Sequence, residues 1–313
     1  MSFPKISIVV VNFNLAVFLE ETLLSIINQN YSNLELILID GGSTDGSLDI
    51  IRKYENNLTY WISEPDSGQY EALMKGFAKS TGEIMAWINS DDLYYPNSLK
   101  AVAEIFSDFS EVKWLSGFPT EYNINGTGIN RITLPWARWS KWRYYTWDFQ
   151  FIEQESCFWR RSLWEKAGSN LDVNLKLAGD LDLWARFFRH EKLFTTTALL
   201  AGFRYRGGSQ RSKMLKQDYL EECKSILKHE IRQLPFYQKI FCLVLRVLIT
   251  PFSLFWFLDL PLLRGIYRDV MGIPQIITWN FDSGKWVFDR NLIKMPPLFL
   301  FGKQVLNPFR KIK

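Results

Sequence analysis

Apolar runs alternate with segments of helical spacing across the first hundred residues, and acidic or amide residues follow the runs. The runs occupy 6–11, 34–39, the short 60–62 and 83–88, with a fifth at 112–115. Their β-branched character marks strands buried on both faces. Between them, 17–29, 47–54 and 70–79 carry helical spacing; Leu19, Leu23, Ile26 and Ile27 share one face of the first. Pro96 opens a further helix that runs to about Phe106. Strand and helix in alternation require an α/β fold, a mostly parallel sheet with helices on both faces. Ligands bind such sheets beyond the carboxyl ends of the strands. Asn12, Asn14, Asp40, Glu64, Asp66, Asp91 and Asp92 all stand there. Folding alone gives no reason to deliver so many carboxylates to one rim.

The second half differs in texture. Trp136, Trp139, Trp142, Trp147, Trp159, Trp164 and Trp184 crowd a short stretch, and their rings suit sugar faces, core packing or a membrane edge. A basic, Gly-containing loop covers 204–213, and 216–232 reads as a mixed-charge helix. At 313 residues, one large domain with an appendage or two domains is expected. We divide the chain into 1–213 and a helical, basic and apolar region at 214–313. From Pro235 on, eleven Lys/Arg stand against four Asp/Glu, so +7 of the net +4 lies there and −3 in the rest. A basic apolar tail favours an anionic membrane surface over nucleic acid, with a solvated tail as the plainer reading. Residues 243–263 are apolar but interrupted by Arg246, Pro251, Asp259 and Pro261. A spanning helix needs about twenty apolar residues, so this stretch is expected to lie in the interface or pack on a partner. Cys157, Cys223 and Cys242 lack metal spacing and point to a reducing compartment. The first five residues show no cleavage pattern, and the expected location is cytoplasmic, peripheral on the inner face of the cell membrane.

Three acidic groups carry candidate chemistry. Asp91 and Asp92 follow a buried strand, where adjacent carboxylates gain from a divalent cation, Mn²⁺ or Mg²⁺. A cap for the following helix is the alternative. Asp40 precedes a Gly-Gly-Ser-Thr turn and reads as a ligand for a base or ribose, or as part of the turn itself. Asp180 and Asp182 open a helix before Trp184. Spaced two apart they point in different directions, so one can act as a general base while the other pairs or complements the helix dipole. No GxGxxG or GxxxxGK[ST] occurs, so dinucleotide-binding and P-loop readings lack their glycines.

In order and spacing, SIVVVNFN at 7–14, LILIDGGSTDGS at 36–47, SEPDSGQYEALMKGFAKSTGE at 63–83, INSDD at 88–92, QESCFWRRSLWEKAG at 154–168 and AGDLDLW at 178–184 together resemble a family 2 inverting glycosyltransferase. The resemblance covers roughly two-thirds of the chain and implies the GT-A nucleotide-sugar-binding fold. It implies that Val11, Asn12, Asn14, Asp40, Asp66 and Gly68 hold the donor nucleoside, with Asp40 on the base. Asp91 and Asp92 match the metal and diphosphate motif, Asp92 being the direct ligand. Asp180 matches the catalytic base, and Gln154 and Trp184 border the acceptor. Two departures stand out: Met74 replaces an Asn common in relatives, and the loop after the base offers Arg204-Tyr205-Arg206-Gly207-Gly208 in place of a His. Arg206 or Arg211 then contacts the diphosphate, because guanidinium suits bidentate phosphate binding. The implied partners are a nucleotide-sugar donor, UDP favoured, and a lipid-linked glycan or polysaccharide acceptor. The alternatives are an inactive nucleotide-sugar-binding or scaffold protein and a nucleotidyltransferase. The second would need a basic loop after the first strand, where this chain has Asn12-Phe13-Asn14-Leu15.

Overall fold

The computed structural model of the chain describes residues 3–129, 139–146, 152–207, 215–255 and 261–289. The strands are β1 (Ile6–Asn12), β2 (Leu34–Asp40), β3 (Tyr60–Ser63), β4 (Ile84–Asn89), β5 (Leu93–Tyr94), β6 (Trp114–Ser116), β7 (Glu121–Tyr122), β8 (Gly128–Ile129), β9 (Cys157–Arg160), β10 (Phe194–Thr196), β11 (Ala201–Arg204), β12 (Ile276–Asn280) and β13 (Lys285–Asp289). The helices are α1 (Ala16–Ile27), α2 (Ser47–Lys53), α3 (Gln69–Lys79), α4 (Ser98–Asp108), α5 (Lys141–Tyr145), α6 (Arg161–Lys166), α7 (Gly179–Phe187), α8 (Lys216–Gln233), α9 (Phe236–Phe255) and α10 (Pro261–Met271).

Among the described residues a nine-stranded sheet runs β13-β12-β10-β6-β9-β4-β1-β2-β3, and a second, four-stranded sheet runs β5-β11-β7-β8. β3, β2, β1 and β4 are parallel, while β9 runs antiparallel to both its neighbours. The strand alternation divides the core. Val9, Val11, Ile37, Ile39, Met85 and Trp87 bury on the face that carries α3 and α7. Ile8, Val10, Leu36, Leu38, Ala86 and Ile88 bury on the face that carries α1 and α4. This two-sided burial is why β1 and β2 read as unbroken apolar runs rather than alternating ones. Gly76 lets α3 lie close on the sheet, since a Cβ there would stand 2.4 Å from Val9 Cγ1.

Two expectations need correction. The helix expected from Pro96 begins at Ser98, after Asn97 takes a left-handed turn at φ 64°. The region from 214 on is not wholly helical: β12 pairs in parallel with β10 (Thr195↔Ile276), and β13 closes a hairpin at the sheet edge. The chain therefore returns to the main sheet after its apolar helices. Helix α9 lays Cys242 and Leu245 inward, near Trp142, Tyr267 and Met271. Its outward row, Phe236, Tyr237, Ile240, Leu243, Val244 and Val247, is 44–77% exposed. Among the described residues no helix is long and apolar enough to cross a membrane. The side chains of Phe252, Leu254 and Phe255, with residues 256–260, lie outside the described set.

Candidate active site

The loops that follow β1, β2 and β3 are laced into one unit. Asp40 is fully buried, and its carboxylate accepts Asn12 Nδ2 (2.7 Å), Ser43 Oγ (2.6 Å), Ser43 N (2.9 Å), Gly42 N (3.2 Å) and Ser63 Oγ (2.6 Å). Burial alone would raise this carboxyl, but the donors from Ser43, Ser63 and Asn12 outweigh it and hold it below the ordinary range. Five donors fill a carboxylate's acceptor sites. The side chain thus shapes the loop, and the expected contact of Asp40 with a base would share its oxygens with these donors. Asn14 joins the lacing, accepting Thr44 N through Oδ1 (2.8 Å) and giving its own N–H to Ser43 Oγ (2.8 Å). Val11 contributes its carbonyl to Ser90 N (3.2 Å), tying β1 to the turn that carries the paired aspartates.

Asp66 keeps more freedom. One oxygen accepts Gly68 N (2.9 Å), and the other lies where a Cβ on Gly41 would come within 2.8 Å, beside the ring of Phe13. Burial raises its carboxyl, opposed by the Gly68 amide. Phe13 is 61% exposed, which leaves an aromatic face open next to that oxygen. Gly68, at φ 139°, starts α3 in a conformation that side chains avoid.

Asp91 and Asp92 do meet at the end of β4. Asp92 has no exposed surface; its oxygens accept Arg204 N (2.9 Å) and Asn89 Nδ2 (3.3 Å). Burial pushes its carboxyl well up, and the charges of Asp91 and Glu155 push the same way. Asp91 is nearer solvent and pairs with Arg206 Nε at 2.8 Å. Burial raises this carboxyl too, against the pull of Arg206. Arg206 thus reaches the aspartate pair through Asp91 from the loop after the expected base, while Arg211 lies outside the described residues. Sequence reasoning passed over Arg204 and Glu155. Arg204 is buried, bonds Asp91 O through Nε (2.8 Å), pairs with Glu21 and lies over the Phe18 ring. Only the basic character of the 204–213 loop hinted at it. Glu155 is buried with its Oε1 unpartnered, and burial raises its carboxyl well above the usual range.

The two carboxylates of the 178–184 motif do separate. Asp182 pairs with Arg186 (2.8 Å), whose guanidinium also braces Ala167 O and Asn170 O. Asp180 is partly exposed; its Oδ1 accepts Leu181 N (2.8 Å), and Oδ2 has no hydrogen bond among the described residues. Burial is the main reason its carboxyl rises to about 6. Two neighbours on α3 connect the aspartate pair with this loop. Gln69 Nε2 bonds Asn89 Oδ1 (2.7 Å), and the next residue, Tyr70, gives its hydroxyl to Leu177 O and accepts Gly179 N, both at 2.8 Å.

The acceptor-side expectations fare differently. Trp184 is 1% exposed and stacks against Trp87 and Trp114 at 5.6 and 5.0 Å between centroids. It is a core residue and cannot border an acceptor. Trp139, Trp159 and Trp164 are buried likewise, so core packing accounts for these rings; Trp136 and Trp147 lie outside the described residues. Gln154 is buried and spends its amide on Trp87 O and Asn89, bracing β4 rather than facing a ligand. Met74, the departure from Asn, sits half-buried with its sulfur accepting Leu171 N at 3.2 Å.

Among the described residues no cluster of three or more metal-ligating side chains exists. The aspartate pair fits a cation that arrives with phosphate oxygens, since Mg²⁺ and Mn²⁺ bind through one or two carboxylates plus phosphate. It does not make a cage by itself.

Comparison with known proteins gives a consistent picture. The family described as Glycosyl transferase family 2 matches residues 7–159. A PGL/p-HBAD biosynthesis glycosyltransferase of Mycobacterium bovis is 35% identical over 203 residues, covering 62% of this chain and 74% of the relative. A glycosyltransferase of Nostoc is 34% identical over 105 residues, but that match spans only 33% of its length. Staphylococcus aureus TarS 1–349 in complex with UDP-GlcNAc superposes with a TM-score of 0.60 at 19% identity, covering 78% of this chain and 71% of that one. The Pyrobaculum calidifontis mannosyltransferase PcManGT, with GDP-Man and Mn²⁺, gives 0.55 at 19% identity, covering 74% and 66%. The two structural likenesses establish the fold.

Proposed function

Because the chain belongs to glycosyltransferase family 2, we propose that it moves a sugar from a nucleotide-sugar donor, UDP favoured, to a hydroxyl of a lipid-linked oligosaccharide or polysaccharide acceptor, with inversion. The observation that carries this reading is the α3 link. Gln69 and Tyr70, adjacent in sequence, join the aspartate pair to the loop bearing a carboxyl near 6 with one free oxygen. Inversion needs one base at the incoming hydroxyl, and such a carboxylate can take that proton at neutral pH. We assign the role to Asp180. The nucleoside would rest on the Val11–Asn12 backbone and the loop that Asp40 and Asn14 shape. Asp66 and Gly68 would line the pocket, with the open ring of Phe13 stacking on the base. Arg206, with Arg211, would bind the diphosphate. A divalent cation would be held by Asp91 and Asp92 together with that diphosphate, and would neutralise the leaving group. Bound GDP-Man and Mn²⁺ in one structural neighbour, and UDP-GlcNAc in another, support donor and cation alike.

A nucleotide screen by thermal shift, with Mn²⁺ or with EDTA, tests the donor reading. UDP at a hundredfold over its Kd should stabilise the fold by about 2.7 kcal/mol. EDTA should reduce that gain, and the product anomer read by NMR should be inverted. A melting temperature indifferent to every nucleotide would leave only a scaffold on this fold.

The acceptor reading draws on α9. Its outward apolar row has basic neighbours Lys239 and Arg246, suited to an anionic bilayer with the helix lying flat at the acyl boundary. Full-length protein should float with anionic liposomes, and Leu243→Glu with Val247→Glu should abolish flotation while UDP binding persists. Protein that ignores such liposomes has no membrane seat on this helix.

A further inference from the structure

We propose that Glu222, on α8, is the positioning residue of the general base: its carboxylate holds the loop that presents Asp180 by accepting three successive backbone N–H groups. The inference rests on the reading of Asp180 as the base. Oε1 of Glu222 accepts Lys176 N at 3.0 Å, and Oε2 accepts Leu177 N and Ala178 N, both at 2.9 Å. The next amide, Gly179 N, is taken by Tyr70 Oη at 2.8 Å. Four consecutive N–H groups are therefore fixed by two side chains from distant parts of the chain, directly before Asp180.

These amides belong to the start of α7 and the turn before it, where a helix leaves its first donors unsatisfied. A Ser, Thr or Asp at the N-cap ordinarily meets that need locally. Here the N-cap is Ala178 and supplies no side-chain bond. The chain instead uses a carboxylate 44–46 residues away. Charge-assisted bonds of this kind are short and directional. Gly179 completes the arrangement, because a Cβ there would meet the Tyr70 ring at 2.6 Å. A local cap would order the helix end alone. A carboxylate from α8, which packs on α7 and α5, fixes the loop relative to those helices, and so fixes where Asp180 stands.

The same carboxylate acts on the base electrostatically. The titratable groups within electrostatic reach of Asp180 are Tyr70 on α3, Tyr144 on α5, Cys157 on β9, and Tyr219, Glu222 and Cys223 on α8. Burial raises the tyrosine and cysteine groups above their ordinary values, so they are neutral where Asp180 titrates. Glu222 is the charged neighbour, and its negative charge favours the protonated form of Asp180.

The test uses full-length protein and four variants: Glu222→Ala, Glu222→Gln, Glu222→Asp and, as reference, Asp180→Asn. Amide exchange on unliganded protein should show residues 176–179 of Glu222→Ala opening about tenfold or more faster, with β1, β2 and β4 unchanged. Nucleotide release from UDP-GlcNAc, UDP-glucose and GDP-mannose should lose about tenfold or more in kcat, with donor KM and UDP affinity within about twofold. Glu222→Asp, which keeps both acceptor oxygens on a shorter stem, should recover part of that loss. In Glu222→Gln the acid limb of kcat should move to lower pH, because removing the charge eases ionisation of Asp180. Protected amides at 176–179 in Glu222→Ala would overturn the clamp, as would an unmoved acid limb in Glu222→Gln. Equal losses in kcat and UDP binding would reduce Glu222 to general stability and overturn it too. An Asp180→Asn variant with full turnover would instead remove the base assignment, while the exchange data still judged the clamp.

Discussion

Asp40 is fully buried and Asp180 only partly, yet their acidities move in opposite directions, the buried one down and the other up. Asp40 is surrounded by Asn12, Ser43 and Ser63, whose donors hold it ionised. Asp180 takes one amide, from Leu181, interacts with buried tyrosines and thiols, and rises to about 6. Donors aimed at a charge stabilise it more than burial penalises it; without them burial wins. The rim therefore holds a carboxylate that builds a loop and another that can exchange a proton. Glutamate at 222 and tyrosine at 70 brace the second from the backbone side, so its free oxygen is not consumed by the bracing.

Substitutions at these two positions break or sharpen the contrast. The largest effect is expected from Asp180→Asn, which should lower turnover by about 10²–10⁴-fold and leave UDP binding intact. Wild-type turnover should fall as pH drops through about 6, where Asp180 protonates. A variant with more than about a tenth of wild-type turnover would move the role elsewhere, Asp182 being the next to test.

Asp40→Ala should act on the fold and the nucleotide together. It strands the Asn12, Ser43 and Ser63 donors, a loss of about 3–5 kcal/mol, with UDP affinity falling in parallel. The Asp40 carboxyl is depressed in the folded chain, so its contribution is present at neutral pH and lost as acid protonates it. Chemical unfolding across pH measures this. A variant that keeps wild-type stability but loses UDP binding would restore the direct base contact.

A third expectation has the opposite sign. The folded-state carboxyl of Asp180 lies above its ordinary value of 3.8 at about 6, so its ionisation opposes folding. Above pH 6 that cost is full, roughly 3 kcal/mol, and below about pH 4 it vanishes. Asp180→Asn should thus stabilise the protein at pH 7–8 and lose the gain on acidification. No gain at pH 8 would place the carboxylate in a wetter setting than the structure gives it.

The smallest effect concerns Trp184. Replacement by Phe should cost about 1–2 kcal/mol through the cavity left between Trp87 and Trp114. Acceptor KM should not move. A raised KM at undiminished stability would return Trp184 to the acceptor side.

The succession of strands and helices in the first ninety residues was legible because burial on both faces leaves runs of apolar residues with no other explanation. Asp91, Asp92 and Asp180 stood out in the sequence as candidates for chemistry because adjacent or strand-terminal carboxylates serve no core. The tryptophans misled for a related reason: an indole suits a sugar and a core equally, and only packing partners tell them apart. Residues 276–289 were missed because a short edge hairpin has a weak pattern until β10 is there to pair with it.

What the sequence determined by itself was the alternation that makes the doubly covered sheet, the rim of acidic residues at its carboxyl end, and the family pattern. These are properties of residues near one another in the chain. Tertiary structure alone decided that Arg206 lies on Asp91, that Arg204 backs Asp92, that Asp40 is consumed by its own loop, and that Glu222 holds the amides before Asp180. Each of these joins segments that are distant in sequence or depends on which donors reach a carboxylate first. A side chain's type states what it can bond; only the packed fold determines what stands within 3 Å of it.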